Sequence, residues 1–371
     1  MSGIIETDVV VGLQHGDEGK GKIINWLLQQ DKNNEKEYDY CIRFNGGPNA
    51  GHTVYHNDEK IVLHQIPIGI IYGVPSLIGS ACVLDPLKLQ KEIDELQRIG
   101  ITDIGDKLSI AYNTHIIYFK HIDEDRKTDK VGSTKTGIRP TYRDKFNRCG
   151  SRIGTIYNNV CGCDIIDPVE LFMYNGNNHN HNENNNGNSE NEENHENNSD
   201  TNKKLTLLCE GAQGFELDID WGDYPYCTSS NCITGFCNTT GIPPQSIRNV
   251  YGVTKIYETY VGNKQFQPEE TVFKTLQLLG NEFGATTGRP RQCNWLHLGR
   301  LKRAIFLNGV THVIINKCDI LQELGVFKLY DCNNCLQTFV SLDKMKEYIT
   351  KYIENIGYVT SIIFSASKNT L

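Results

Sequence analysis

The sequence predicts an α/β protein with a large, mostly parallel central sheet flanked by helices. Three observations along the 371-residue chain support this prediction: short apolar runs rich in β-branched residues, glycine-rich loops directly after several of them, and amphipathic helical stretches between them. Open parallel sheets bind ligands beyond the carboxyl ends of their strands. The loops after the strands are therefore the candidate functional segments.

The first half of the chain begins with a predicted strand at residues 9–11, which runs into a glycine-rich loop at residues 12–21. The three consecutive valines of that strand indicate burial on both faces, as in a parallel sheet. Residues 22–30 follow as a predicted helix. The remaining predicted elements of this half are a strand at residues 41–44, a glycine-rich loop at residues 45–53, a strand at residues 62–71 and an amphipathic helix at residues 86–98.

The second half begins after residues 175–203, a run rich in Asn, Glu and His with almost no apolar side chains. Such a composition cannot offset the entropy cost of ordering. We therefore expect a disordered low-complexity insertion within a single domain that spans residues 1–371. Beyond it we predict strands at residues 205–209, 250–257, 311–315 and 358–364, and helices at residues 300–307 and 344–356.

Composition narrows the function classes. The formal net charge of −8 argues against nucleic-acid binding, which needs clustered Lys and Arg. No apolar run reaches the roughly 18 residues that a membrane-spanning helix needs, and the N-terminal segment lacks the pattern of a signal peptide. The 13 cysteines, odd in number and irregular in spacing, predict a reducing, cytoplasmic environment. Cys332 and Cys335 form the one CxxC pair, interpreted as free thiols because no second pair of metal ligands lies nearby.

Residues 16–22, Gly-Asp-Glu-Gly-Lys-Gly-Lys, predict a phosphate-binding loop. Glycine lets backbone amides approach phosphate oxygens, and Lys20 with the start of the following helix supplies positive potential. No Ser or Thr follows the Gly-Lys pair, so the hydroxyl that normally helps to hold magnesium is missing. Asp17 in such a loop either holds Mg²⁺ or acts as a base toward a substrate proton, and the residues alone leave both roles open.

Two further segments carry candidate chemistry. His52 lies in the glycine-rich loop at residues 45–53, a position that suits a proton donor or a phosphate partner. Residues 316–319, Asn-Lys-Cys-Asp, match a pattern in which a carboxylate accepts hydrogen bonds from guanine and so discriminates against adenine. Because this pattern directly follows a predicted strand, the guanine interpretation is favoured.

Together with residues 132–148, 210–231 and 280–291, these three segments resemble the adenylosuccinate synthetase family. The last two stretches contain Glu-Gly-Ala-Gln-Gly and Gly-Ala-Thr-Thr-Gly-Arg-Pro-Arg, which are very specific to that pattern. The resemblance covers most of the chain outside the Asn-rich run. It implies a P-loop-NTPase-like architecture and a GTP- and Mg²⁺-dependent ligase that joins inosinate (IMP) to L-aspartate.

The resemblance also implies roles for single residues. The carboxylate matching Asp17 removes the N1 proton of inosinate, so that O6 attacks the γ-phosphate of GTP, and the imidazole matching His52 acts as an acid on the developing charge. The amine of aspartate then displaces phosphate from the 6-phosphoryl intermediate and gives adenylosuccinate. The resemblance places Mg²⁺ on Asp17 and the carbonyl of Gly51. It also makes the chain a homodimer in which Arg148 reaches the inosinate of the neighbouring subunit.

The substrate contacts that the resemblance implies fall into three groups, one for each substrate. Inosinate contacts Asp17, Glu18, Gly19, Lys20, Asn49, Ala50, Gly51, His52, Thr134, Arg148, Gln213, Thr228 and Arg289. L-Aspartate contacts Ala285, Thr286, Thr287, Gly288, Arg289, Pro290 and Arg291. GTP contacts Gly16, Asp17, Glu18, Gly19, Lys20, Gly21, Lys22, Gly51, His52, Thr53, Arg291, Lys317, Cys318, Asp319, Ser365 and Ala366.

Departures from the family pattern keep alternatives open. Arg139 stands where the family has a loop glycine, and we expect strain there if the position needs a positive φ. Several supporting segments are altered or shorter, which leaves the alternative of a nucleotide-binding protein without turnover. A GTPase-like switch is disfavoured, because the Ser or Thr that follows Gly-Lys in such proteins is missing.

Overall fold

The computed structural model describes residues 5–31, 37–56, 59–128, 131–174, 204–284 and 288–366. The low-complexity insertion predicted at residues 175–203 lies outside the described residues. The strands are β1 (Ile5–Gly12), β2 (Tyr40–Arg43), β3 (His52–His56), β4 (Glu59–Leu63), β5 (Ser76–Ile78), β6 (Val83–Leu84), β7 (Leu108–Ala111), β8 (His115–Ile116), β9 (Asn159–Val160), β10 (Cys163–Ile166), β11 (Leu205–Glu210), β12 (Ile247–Lys255), β13 (Tyr257–Tyr260), β14 (Gln292–His297), β15 (His312–Asn316), β16 (Phe327–Tyr330), β17 (Leu336–Phe339) and β18 (Ser361–Phe364).

Helices connect most of these strands. They are α1 (Lys20–Asp31), α2 (Pro86–Arg98), α3 (Ile104–Lys107), α4 (Phe119–Lys127), α5 (Ile138–Phe146), α6 (Pro168–Tyr174), α7 (Val272–Leu279), α8 (Leu298–Asn308), α9 (Cys318–Leu324) and α10 (Leu342–Ile353). None of the described helices combines the length and the apolar character that crossing a membrane would require.

The central sheet of the described chain has ten strands in the order β18-β15-β12-β1-β11-β2-β5-β7-β10-β9. Neighbouring strands are parallel throughout, except that β9 runs antiparallel to β10 at one edge. A second sheet contains β13, β14, β16 and β17, and two short sheets pair β3 with β4 and β6 with β8. The prediction of an α/β protein with a large, mostly parallel sheet is confirmed.

Strand β1 lies near the middle of the large sheet because its sequence suits burial on both faces. Val9, Val10 and Val11 are at most 1% exposed, and β1 has parallel neighbours on both sides, β11 and β12. Asp8 is also fully buried, and its charge is compensated by hydrogen bonds from the hydroxyl of Tyr38 (2.7 Å) and the guanidinium of Arg248 (3.1 Å). The glycine-rich loop therefore starts from a rigid strand.

Most sequence-predicted elements are found close to their predicted bounds, and helix α2 spans the predicted residues. Its N-terminus is capped by Asp85, whose carboxylate accepts from the backbone N–H groups of Leu87 (3.1 Å) and Lys88 (3.2 Å). The predicted strand at residues 62–71 is wrong. Strand β4 ends at residue 63, and a buried 3₁₀ helix spans Ile68–Tyr72, because Pro67 has no N–H for a sheet ladder.

The condition for strain at Arg139 is not met, because its position does not need a positive φ. Arg139 lies in the first turn of α5, where its backbone is helical. The left-handed conformation falls two residues earlier, on Gly137 (φ 83°), which precedes the helix and needs no side chain. The substitution therefore costs the backbone nothing at this position.

Candidate active site

The loop after β1 encloses a carboxylate of its own. Glu18 is 1% exposed and accepts hydrogen bonds from the backbone N–H groups of Gln14 (3.1 Å) and Gly16 (2.9 Å). The ammonium of Lys20 donates to the same carboxylate at 2.7 Å. A Cβ atom on Gly12 would overlap the Glu18 carboxylate, so the packing requires glycine there. Glu18 and Lys20, both predicted ligand contacts, therefore hold the shape of the loop from inside it.

Asp17 is the part of the same loop that faces outward. It adopts a left-handed conformation with φ 59°, and its side chain is 35% exposed. Its carboxylate accepts from Nε of Arg291 at 2.7 Å, and Nη1 of Arg291 donates to Glu282, also at 2.7 Å. Burial opposes the charge of Arg291, but the two carboxylates outweigh burial and raise its pKa. Two predicted site residues from distant parts of the chain, Asp17 and Arg291, thus form an ion pair.

His52 begins β3 and is 6% exposed. Its Nδ1 contacts the carboxylate of Glu210, and its Nε2 lies 3.0 Å from Nη1 of Arg43. A carboxylate can only accept a hydrogen bond, so Nδ1 carries the proton and Nε2 accepts from the guanidinium. Burial, and next the charge of Arg43, lower the pKa of His52 to about 4. The imidazole is therefore neutral near pH 7.

Glu210 anchors this arrangement at the carboxyl end of β11. It is fully buried, lies 3.2 Å from Nη2 of Arg43, and accepts from the backbone N–H of Ile68 at 2.9 Å. Burial disfavours the charged carboxylate, but Arg43 and His52 hold the pKa of Glu210 at about 2. The sequence predicted no role for Arg43 or Glu210. Arg43 is a charged residue at the end of an otherwise buried strand, and Glu210 opens the Glu-Gly-Ala-Gln-Gly stretch, so each position carries a sequence signal.

Three loops meet at this edge of the sheet. A Cβ atom built on Gly21 would lie 3.0 Å from the carbonyl of Thr53 and 3.5 Å from Cβ of His52. One built on Gly46 would lie 2.9 Å from Oε1 of Gln213. Such close approaches require glycine. They bring the glycine-rich segment after β1 against the start of β3, and the loop after β2 against the loop after β11.

The predicted inosinate contacts include two buried polar atoms without an assigned partner. Oδ1 of Asn49 and Oε1 of Gln213 are buried and make no hydrogen bond within the described part of the chain. Gln213 also has a positive φ of 57°, a conformation that is costly for a residue with a side chain. Buried polar atoms nearly always have partners, so these atoms mark a place for a polar ligand.

The predicted guanine-reading segment follows β15 and is tied to the phosphate loop. Nδ2 of Asn316 donates to the backbone carbonyl of Glu18 at 2.8 Å. Lys317 has a positive φ of 67° and precedes α9, which places Asp319 in the first turn of that helix. The ammonium of Lys22 contacts Oγ of Ser365, another predicted GTP contact. Lys22, Lys317, Asp319 and Ser365 therefore lie on the same side of the phosphate loop.

The predicted aspartate loop is described only in part. Ala285, Thr286 and Thr287 lie outside the described residues. Around them the loop is closed by hydrogen bonds from the N–H of Gly284 to the carbonyl of Arg289 (2.8 Å) and from the N–H of Arg291 to the carbonyl of Glu282 (2.9 Å). Nη2 of Arg289 donates to the carbonyl of Gly132 at 3.0 Å, which joins this loop to the stretch containing Thr134.

Three more predicted inosinate contacts are Thr134, Thr228 and Arg148. Thr134 is exposed, and its hydroxyl lies 2.9 Å from that of Thr136. The N–H of Thr228 donates to the carbonyl of Leu217 at 2.8 Å. Arg148 follows α5 with a positive φ of 60°, and its side chain is exposed. Among the described residues no hydrogen bond or ion pair links Arg148 to the other predicted contacts.

The donors available for Mg²⁺ are few. No group of three or more His, Cys, Asp or Glu in the described ranges is arranged to hold a metal ion. The partly exposed carboxylate of Asp17 and the carbonyl of Gly51 are hard oxygen donors. Mg²⁺ is typically held by one or two carboxylates together with substrate phosphates and water, so this sparse donor set fits a metal that arrives with a nucleotide.

The fold and this edge are those expected of a nucleotide-dependent enzyme of the P-loop-like α/β class, with a predicted phosphate loop, a predicted guanine-reading segment and charged residues around one polar site. The profile of the adenylosuccinate synthetase family matches residues 9–161 and 177–370. This chain belongs to the adenylosuccinate synthetase family, whose members are ligases that form a C–N bond.

Individual relatives agree with this assignment. The chain is 39% identical over 365 residues to adenylosuccinate synthetase of Cytophaga hutchinsonii, covering 88% of this chain and 81% of the relative. It is 40% identical over 351 residues to the enzyme of Thermodesulfovibrio yellowstonii, covering 88% and 80%. The structure of fully ligated adenylosuccinate synthetase from Plasmodium falciparum matches with a TM-score of 0.77 at 26% identity, covering 98% and 97% of the two chains.

Proposed function

We propose that this chain catalyses the GTP-dependent joining of inosinate and L-aspartate, producing adenylosuccinate, GDP and phosphate. The observation that carries this proposal is the meeting of the phosphate loop with His52, Gln213 and the Asn316–Asp319 segment at one sheet edge. A transfer between anionic substrates needs charged groups held in fixed positions, which this edge provides.

In the first step Asp17 takes the N1 proton of inosinate, and O6 attacks the γ-phosphate of GTP, so that the bond between the γ-phosphorus and the bridging oxygen breaks and GDP leaves. The left-handed, outward-facing position of Asp17 presents its carboxylate to a ligand. The carboxylate of the neighbouring Glu18 lies in the interior of the loop. Asp17 and the carbonyl of Gly51 would hold Mg²⁺. When bound, that ion would neutralise charge on the phosphates and help to orient them.

His52 is suited to respond to the developing phosphate charge. Burial and Arg43 keep its pKa at about 4, so that Nε2 has no proton to donate near pH 7. A polyanionic phosphate close to Nε2 favours the protonated imidazole. Glu210 holds Nδ1 and fixes the ring orientation. Protonation of His52 is therefore coupled to the arrival of the phosphate, which is when an acid is needed.

In the second step the amine of aspartate displaces phosphate from C6 of the phosphorylated inosinate. Arg289 and Arg291 frame the loop at residues 285–291, and guanidinium groups suit bidentate contacts with carboxylates. The exposed position of Arg148 after α5 suits a contact made across a two-fold interface rather than within its own chain. We therefore propose a homodimer in which each Arg148 completes the partner's inosinate site.

The environment of the cysteines supports a cytoplasmic location for this enzyme. All 13 cysteines lie among the described residues, and all of them are free thiols. Free thiols persist where the environment is reducing. This inference rests on the thiols alone and is independent of the activity.

The test is a spectrophotometric assay of the purified chain with GTP, inosinate, L-aspartate and Mg²⁺, and with each one omitted in turn. The proposal predicts adenylosuccinate and GDP in equal amounts, and no product when any component is missing. Nucleotide binding without turnover in the complete mixture would instead support a non-catalytic protein. GTP hydrolysis that needs no inosinate would support a GTPase.

A further inference from the structure

A row of alternating charges connects the protein core to the active site. Lys255, Glu282, Arg291 and Asp17 contact one another in that order, with side-chain exposures of 1%, 0%, 12% and 35%. Only Arg291 and Asp17 belong to the predicted ligand contacts. Glu282 and Lys255 have no role in the steps described above.

Glu282 has a full set of partners. One carboxylate oxygen accepts from Lys255 (3.1 Å) and from the hydroxyl of Tyr257 (2.7 Å), and the other from Lys255 (3.0 Å) and Arg291 (2.7 Å). Burial opposes its charge, yet Lys255, Arg291 and Lys317 hold its pKa at about 2. Glu282 is therefore a fixed negative charge, neutralised from the core side by Lys255.

Arg291 is held by Glu282 at two points. Its backbone N–H donates to the carbonyl of Glu282 at 2.9 Å, and its Nη1 donates to the carboxylate. Its Nε donates to Asp17 in the glycine-rich loop. A guanidinium is planar and its donors point in fixed directions, so anchoring Nη1 also fixes where the Nε edge points.

The edge of the Arg291 guanidinium that carries Nε is its outer edge. It lies where substrates must bind, because its partner Asp17 is partly exposed and faces outward. An oxyanion entering the site competes with Asp17 for the same donors. The carboxylate of Asp17 then becomes available to the inosinate proton. Arg291 does not move with Asp17 or with the oxyanion, because Glu282 holds it in place. Such an exchange of partners on a fixed cation needs little reorganisation.

We propose that Glu282 is a positioning residue that anchors Arg291, so that the outer edge of the guanidinium exchanges Asp17 for a substrate oxyanion. This inference rests on the proposed function. The oxyanion is either the γ-phosphate of GTP or a carboxylate of aspartate, and the two sources are separated by the measurements below.

The experiment compares the full-length wild type with Glu282→Gln and with the double variant Lys255→Met/Glu282→Gln. The double variant removes both charges of the buried pair, so that no unpaired ammonium remains in the core. Glu258→Gln is the matched control, because Glu258 is also a buried glutamate but contacts none of the four charged residues. Each protein is measured for melting temperature, kcat, KM for inosinate and aspartate, and Kd for a non-hydrolysable GTP analogue with Mg²⁺.

We expect kcat to fall about 10- to 100-fold in both Glu282 variants, as for the loss of one charged hydrogen bond, while KM for inosinate stays within about threefold. The double variant should regain melting temperature without regaining kcat, which a merely structural role would not produce. If the Glu282 variants bind the GTP analogue with a higher Kd than wild type, the oxyanion is the γ-phosphate. If instead their KM for aspartate is raised, the oxyanion is a carboxylate of aspartate.

The inference is overturned if the double variant is folded and keeps kcat and both affinities within about twofold of wild type. It is also overturned if kcat returns together with melting temperature. An inactive wild type would contradict the proposed function itself. An active wild type with equally active variants would contradict only the role of Glu282.

Discussion

Two buried glutamates should respond in opposite ways to substitution by glutamine. Glu210 is fully buried, and Arg43 and His52 keep it ionised, with a pKa of about 2. Glu258 is 2% exposed, and its pKa is raised to about 8 by burial, because Arg300 at 3.7 Å only partly compensates. The substitution Glu→Gln keeps the shape at both positions and removes the ability to ionise.

Glu210→Gln leaves the guanidinium of Arg43, which is 1% exposed, without its carboxylate. Breaking a buried ion pair in this way costs about 3–5 kcal/mol, a large part of the roughly 5–15 kcal/mol that stabilises a typical domain. The contribution of Glu210 is present above the unfolded pKa of about 4.3 and is lost as pH falls toward about 2.

The contribution of Glu258 to stability changes with pH in the opposite direction. The folded chain keeps a proton on Glu258 that the unfolded chain releases above about pH 4.3. The contribution of Glu258 to wild-type stability therefore falls as pH rises from there to about 8, by at most about 1.4 kcal/mol per pH unit. Gln cannot ionise, so Glu258→Gln should be as stable as wild type at about pH 4.5 and more stable at about pH 7.5.

The assay is urea unfolding of wild type and both variants at these two pH values. Glu210→Gln should lose several kcal/mol at the higher pH. The reasoning is refuted if Glu210→Gln unfolds within about 1 kcal/mol of wild type there. It is equally refuted if the advantage of Glu258→Gln shrinks as pH rises.

Three further predictions concern the active site. Asp17→Asn should abolish turnover, because an amide keeps the shape of the carboxylate but cannot take a proton. Its affinity for inosinate, measured by calorimetry, should stay within about tenfold of wild type. Substantial turnover would show that Asp17 is not the base. Asp319→Asn should weaken the binding of GTP by a few kcal/mol at most. Equal affinity of the wild type for ATP and GTP would contradict the guanine assignment. Arg148→Leu and Asp17→Asn subunits, each inactive alone, should regain up to about one quarter of wild-type activity after random exchange, because one site per heterodimer is intact. Verified exchange that restores nothing would contradict the shared site.

The sequence predicted the class of fold and most elements because those features depend on local pattern. Consecutive valines indicated the buried strand β1, and helical periodicity indicated α2. The error at residues 62–71 has a local cause as well, since apolar residues around Pro67 suit a buried turn as well as a strand. The meeting of the loops also followed from the topology, because carboxyl ends of parallel strands share one edge.

The contacts that tune the site were beyond local pattern. Glu18 remains a predicted ligand contact, but local pattern could not show that its carboxylate turns back into its own loop. Arg43 and Glu210 are separated by more than 160 residues, and a pair that distant is visible only once β2 and β11 lie side by side. The same holds for Glu282, whose partners come from β12, the loop before β14 and, through Arg291, the loop after β1.

In the proposed mechanism Asp17 directs phosphoryl transfer from GTP to O6 of inosinate before aspartate reacts. Positional isotope exchange in labelled GTP, with inosinate and Mg²⁺ but without aspartate, measures this step alone. The account predicts exchange in the wild type that needs inosinate, and no exchange in Asp17→Asn. Exchange that persists in Asp17→Asn, or that needs no inosinate in the wild type, would contradict it.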